Sequence, residues 1–137
     1  MSFVDDEQFK TALISYLKEL DPLLERIPAA EVRETQWQGT TFTYPNVRVR
    51  VIDNRPFGSR CHHKIQVGIQ VNSEEQSSKE ADEISGIIGR ALSDCSFARN
   101  GVYMILQVTN LIPALRVDVR TWRSEALFTV IASLVEE

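Results

Sequence analysis

A chain of 137 residues, 43 % apolar and 25 % charged, fits one folded domain with a sizeable core, and no stretch approaches the roughly 20 apolar residues that cross a bilayer. Its formal net charge of -4 and pI near 5.2 argue against gripping nucleic acid through its phosphates. The acidic start Met1–Glu7 is not a secretory signal, so the protein is expected to stay where it is made.

Asp5 and Asp6 can cap a helix in which Phe9, Leu13, Tyr16, Leu17, Leu20 and Leu24 recur at three- and four-residue intervals. Pro28 ends it near Leu24, or Pro22 ends it at Leu20 and leaves a short extra turn. After a polar connection the period becomes two, with Phe42 and Tyr44, then Val47, Val49 and Val51 against Arg48, Arg50 and Ile52. Turn residues fill Asp53–Arg60, which reads as a long hairpin loop. A second strand follows from about Cys61 to Val71, with His63, Ile65, Val67, Ile69 and Val71 on one face.

Ser77 with Glu80 gives a capping-box pattern ahead of a second helix from Ser78 to about Leu92. Gly86 and Gly89 weaken that helix and suggest close approach of strands beneath it. A third strand, Val102–Thr109, follows the Asn100–Gly101 turn, and a last strand runs from about Val117 or Trp122 to Val135. The expected fold is therefore α+β in the order α-β-β-α-β-β. It has a single mixed or mainly antiparallel sheet of about four strands and two helices packed on one face, over residues 1–137.

Chemistry is hard to find in this pattern. Cys61-His62-His63 holds potential metal ligands, but strand alternation sends His62 and His63 to opposite faces. Cys61 and Cys95 read as reduced thiols, and the carboxylate runs as helix caps and wet surface. Gly86-Ile87-Ile88-Gly89 has the spacing of an RNA clamp loop but sits in a helix without basic flanks. The sequence nominates no catalytic residue, cofactor or metal site, and a non-enzymatic role is expected. Aromatic and arginine residues, the types enriched at interface centres, gather in Arg55, Pro56, Phe57 and Arg60 and again in Arg120, Trp122 and Arg123. Phe57 and Trp122 equally fit as caps on the ends of the core.

The helix from Asp5, the Tyr44-Pro45-Asn46-Val47 strand entry and the strand Lys64–Val71 together resemble the tail terminator and tail-completion proteins of long-tailed bacteriophages. So do the polar stretch Asn72–Ser78, the helix end Gly89-Arg90-Ala91-Leu92 and the closing segment Trp122–Val130. The resemblance spans nearly the whole chain. It implies a homo-oligomer, a hexameric ring, that caps the head-proximal end of the tail tube, stops its polymerisation and presents the docking surface for the head. Tail tube protein and a head–tail connector or stopper would be its partners, DNA would pass only as cargo, and no membrane is involved. The protein would be made in host cytoplasm and end in the virion. Neighbouring neck proteins, a stand-alone bacterial ligand-binding α+β domain with an enclosed pocket, and a small enzyme with a titrating cleft remain the alternatives.

Overall fold

The computed structural model describes residues 4–57, 62–75 and 77–135, with Phe57 described by its backbone alone. Helix α1 (Asp6–Leu17) starts where the sequence places it, because Asp5 closes a full capping box. Its carboxylate accepts from the Gln8 amide at 2.7 Å, and the Gln8 side chain accepts from the Asp5 amide at 3.2 Å. Phe9, Ala12, Leu13 and Leu17 form the buried face. The earlier of the two expected ends is the nearer one: α1 stops at Leu17, three residues short of Leu20, and Pro22 opens the expected separate turn, α2 (Asp21–Leu24). A 3-10 turn, Ala29–Glu31, leads into the short strand β1 (Val32–Glu34).

The rest is β2 (Asn46–Phe57), β3 (His62–Ser73), α3 (Lys79–Leu92), β4 (Cys95–Arg99), β5 (Val102–Arg116) and β6 (Trp122–Leu134). These build one six-stranded mixed sheet in the order β1-β2-β3-β6-β5-β4, parallel only between β1 and β2. Among the described residues, six strands replace the expected four, and three α-helices the expected two. The added strands β1 and β4 are three and five residues long, too short for a period of two to stand out.

Two further expectations need correction. Asp53–Phe57 is not loop: it continues β2, paired with His62–Gln66, after a bulge at Ile52 that absorbs one residue. Ser77 closes no capping box either. The N-cap is Ser78, without a side-chain bond, and the Glu80 carboxylate instead accepts from the Ser73 hydroxyl at 2.7 Å. The expected close approach of strand to helix is found at Gly89, where a Cβ would sit 3.4 Å from Leu111 of β5. At Gly86 the nearest neighbour is the Arg90 side chain of its own helix.

Both long helices cover one face of the sheet, α1 over β1, β2 and β4, and α3 over β3, β6 and β5. Between them lie Val47 and Val49 of β2, Ile65, Val67, Ile69 and Val71 of β3, Met104 and Leu106 of β5, and Ala126, Phe128 and Val130 of β6, all fully or almost fully buried. The Ser124 hydroxyl donates to the Ala81 carbonyl at 2.9 Å and fastens β6 to α3. Tyr16 stacks on Phe97 with centroids 3.7 Å apart, which docks the end of α1 on β4. Gly101, at φ +79°, supplies the positive dihedral that the β4–β5 hairpin needs after Asn100.

Candidate assembly surfaces

The first group of predicted interface residues lies at the hairpin end of the sheet. Arg55 is exposed and pairs with Asp53 at 2.6 Å, and Pro56 is exposed beside it. Arg60, Cys61 and the Phe57 side chain lie outside the described residues. His62 is exposed and His63 buried, as alternation requires. His63 Nδ1 is 2.7 Å from the Asn54 side-chain oxygen, and its Nε2 accepts from the Val4 amide at 3.4 Å. Since Nε2 accepts, the hydrogen on a neutral ring sits on Nδ1 and donates to Asn54. Asn54 in turn donates to the Val4 carbonyl and the Asp6 carboxylate, both at 2.9 Å. This network ties the start of α1 to the hairpin, so His63 is a structural residue.

The second group lies at the opposite end. Trp122 is opposite Ser73 of β3 and Arg116 of β5, half-buried against the core, with the Arg116 guanidinium 5.9 Å from its ring centre. It caps the core and also borders a shallow recess of about 300 Å³ with Glu74, Glu75 and Arg120. Arg123 is exposed and donates to Asn72 at 2.8 Å. Arg120 belongs to the turn 117–121, which the Asp118 carboxylate holds by accepting from the Arg120 and Thr121 amides at 2.9 and 2.8 Å. Those bonds, the Arg120 amide first, hold the Asp118 carboxyl below its ordinary value. The sequence offers both groups as interface candidates. The register separates them by the length of β3, from His62 to Ser73, or about 36 Å at strand rise.

Two features escape sequence reading. On the uncovered face, Arg50 of β2 reaches across β3 to Glu125 of β6 with bonds of 2.6 and 2.8 Å, passing over Gly68. The bonds to Glu125 raise the Arg50 pKa against the opposing pull of partial burial. Only the absence of a side chain at Gly68 leaves room, since a Cβ there would overlap the Glu125 carboxylate. The same face carries Tyr103, Ile105 and Leu115, each more than a third exposed, with Ile105 opposite Ile131. Beyond β1, Trp37, Phe42 and Tyr44 line a cleft of about 280 Å³ with Arg48 and Arg123. The Arg33 guanidinium lies 3.5 Å above the Trp37 ring. Burial lowers the Arg48 pKa despite its contact with Glu31. Pairs separated by 75 residues, as Arg50 and Glu125 are, leave no local signal.

Among the described residues no three His, Cys, Asp or Glu side chains group as metal ligands, and no helix is long and apolar enough to cross a membrane. The arrangement is one of surfaces: two polar ends, one open sheet face and two sheet edges. It defines an α+β sandwich of helices on a single mixed sheet, and that fold is shared. A chain of the virion of a native gene transfer agent particle superposes with a TM-score of 0.73 at 14 % identity, covering 90 % of this chain and 93 % of that one. A second solved chain superposes with a TM-score of 0.66 at 13 % identity, covering 98 % and 99 %. No protein-family model and no curated protein matches the sequence.

Proposed function

We propose that this chain is a non-enzymatic structural virion protein, a ring-forming tail terminator subunit. It caps the head-proximal end of a phage-type tail tube, halts tube growth and offers the docking surface for the head. The observation that carries the reading is the agreement of fold, over nine-tenths of both chains, with a chain of a virion particle. The distribution of surface residues supports it. The helices already cover the apolar face, and the remaining aromatics, arginines and half-exposed aliphatics lie at the ends, the edges and the open face of the sheet, where subunits or partners would meet. A closed ring needs two different patches on each copy. The two ends of the sheet, and its two edges, are such pairs. The test is light-scattering mass with negative-stain imaging of the purified protein alone and bound to isolated tail tubes. Six-fold rings at tube ends are expected, whereas a protein that stays monomeric in both settings removes the reading.

A further inference from the structure

The two long outer strands of the sheet are each covered over only part of their length. Strand β1 pairs with Val47–Val49 of β2, and among the described residues no strand pairs with Arg50–Phe57 on that side. Strand β4 pairs with Val102–Leu106 of β5, and among the described residues no strand pairs with Gln107–Arg116 on that side, where the Ala114 amide alone is taken, by the Asp82 carboxylate at 2.8 Å. An open ladder of this length is a template for another strand. Each free run is also bordered by a recess and by apolar side chains in water. Beside β2 the recess is lined by Val4, Asp5, Glu7 and Asp53, with Ile52 45 % exposed at the bulge. Beside β5 it is lined by Ser85, Gly86, Ile112 and Pro113, with Leu111 48 % exposed. Ser85, which borders that second recess, is 4 % exposed, and its buried hydroxyl has no hydrogen-bond partner among the described residues.

Building on the ring reading, we infer that the free run of β5 in one copy pairs antiparallel with the free run of β2 in the next, joining the subunit sheets into one closed sheet. Strand direction permits this directly: β5 and β2 run antiparallel within a copy, and rotation about a ring axis preserves that relation. Joined centre to centre, Pro113 falls opposite the Ile52 bulge and Pro56 opposite the Thr109 bulge. The two residues without an N–H thus meet the points where the ladder is already interrupted. The offset of the free runs adds a quantitative check. One is centred level with Ile65 of β3 and the other level with Ile69 and Gln70, a shift of about 15 Å at strand rise. Each copy contributes β2, β3, β6 and β5, a width of about 19 Å, so the joined strands tilt by about 40°. Closed barrels tilt their strands by about 35–45°. In this join β4 lies past the neighbour's Phe57, which falls opposite Val108, and β1 meets only the last residue of β5, Arg116 opposite Val49, so the short edge strands act as stops.

The test places Arg55→Cys with Asn110→Cys, and separately Asp53→Cys with Ile112→Cys, in a Cys61→Ser, Cys95→Ser background. Within one copy these positions are three strands apart, beyond the roughly 7 Å that a disulfide spans. Oxidation of assembled protein is expected to give a covalent ladder ending at the ring size, absent from every single-cysteine variant. Amides of 51–55 and 107–112 are expected to exchange at least about tenfold more slowly in the ring than in the isolated subunit. Rings that give no ladder from either pair and no slowed exchange overturn the edge joint alone and leave the terminator reading standing. Absence of any ring from the parent protein, alone or on tubes, overturns both.

Discussion

Gly68→Ala tests whether the open face of the sheet is organised by the bridge that crosses it. Alanine is normally the better strand residue by about 0.5–1 kcal/mol, so a neutral site would gain stability. Here the new methyl overlaps the Glu125 carboxylate and lies 3.2 Å from Arg50 Nε, so the bridge must open. Glu125 has only 10 % of its side chain exposed, and stripping its partner leaves a nearly buried carboxylate. Fully buried pairs cost about 3–5 kcal/mol when halved. Arg50 is 42 % exposed, and water screens that end, which brings the expected loss to about 1–2 kcal/mol. For a domain of this size that corresponds to about 3–6 °C in Tm. Arg50→Met removes the same interaction by another route. Thermal and urea unfolding followed by circular dichroism should therefore give similar losses for Gly68→Ala and Arg50→Met, and a double variant no worse than either by more than about 0.5 kcal/mol. A stabilised Gly68→Ala, or losses that add in the double variant, would refute the reasoning.

Three other predictions follow from the two ends. His63→Ala should cost about 2 kcal/mol in urea unfolding, because it empties a buried site and strands Asn54, while His62→Ala on the exposed face should stay within about 0.5 kcal/mol. Arg55→Ala combined with Phe57→Ala and Arg60→Ala should leave the unfolding midpoint of the isolated subunit nearly unchanged yet impair ring formation or tube capping in the imaging assay; unfolding, or normal capping, contradicts an interface role. The depressed carboxyl of Asp118 stabilises the turn 117–121 fully above the ordinary carboxylate range and loses that effect as pH falls through its lowered value. Amide shifts of Arg120 and Thr121 should therefore hold through the range where other carboxylates titrate, and Asp118→Asn should abolish that acid-range transition.

Much of the fold is legible because the apolar residues keep their period: Ile65 to Val71 alternate through a fully buried row, and Phe9, Leu13 and Leu17 repeat at helix spacing. Legibility fails where a residue's meaning depends on a distant strand. Turn residues at Asp53–Pro56 suggest a loop, yet they sit in a ladder because β3 continues opposite them and a bulge at Ile52 corrects the register. Strand β5 runs on from the expected end at Thr109 to Arg116, past Pro113, where the ladder to β6 is irregular between Ile112 and Leu115. Gly68 reads as a weak point in a strand, and only the fold reveals the carboxylate and guanidinium above it. The candidate surfaces are half legible for the same reason. Composition selects Arg55, Arg120, Trp122 and Arg123 as contact-forming types, while register decides that they occupy opposite ends.

Folding and assembly draw on different residues in this chain, and the proposed role requires that separation. The inward rows of β2, β3, β5 and β6 are buried by the subunit's own helices, so the core closes without help from a second copy. What remains outside is modest: single half-exposed side chains such as Ile52, Ile105 and Leu111, none of them compelled to hide for the subunit to be stable. Under the proposed role, the subunit would fold before it joins a tube end. Exposed strand edges are hazardous in that interval, since they pair with whatever strand arrives. Both free runs carry the features that limit this: a proline in each, a bulge in each, and on β5 the Asp82 carboxylate accepting from the Ala114 amide at 2.8 Å. These features weaken pairing with an arbitrary strand, whose regular ladder would meet a bulge or a missing donor, and they spare the one partner whose irregularities fall opposite their own. Selectivity at such an edge comes from matched interruptions more than from the number of hydrogen bonds, which is how a sheet can stay open in solution and still close on a copy of itself.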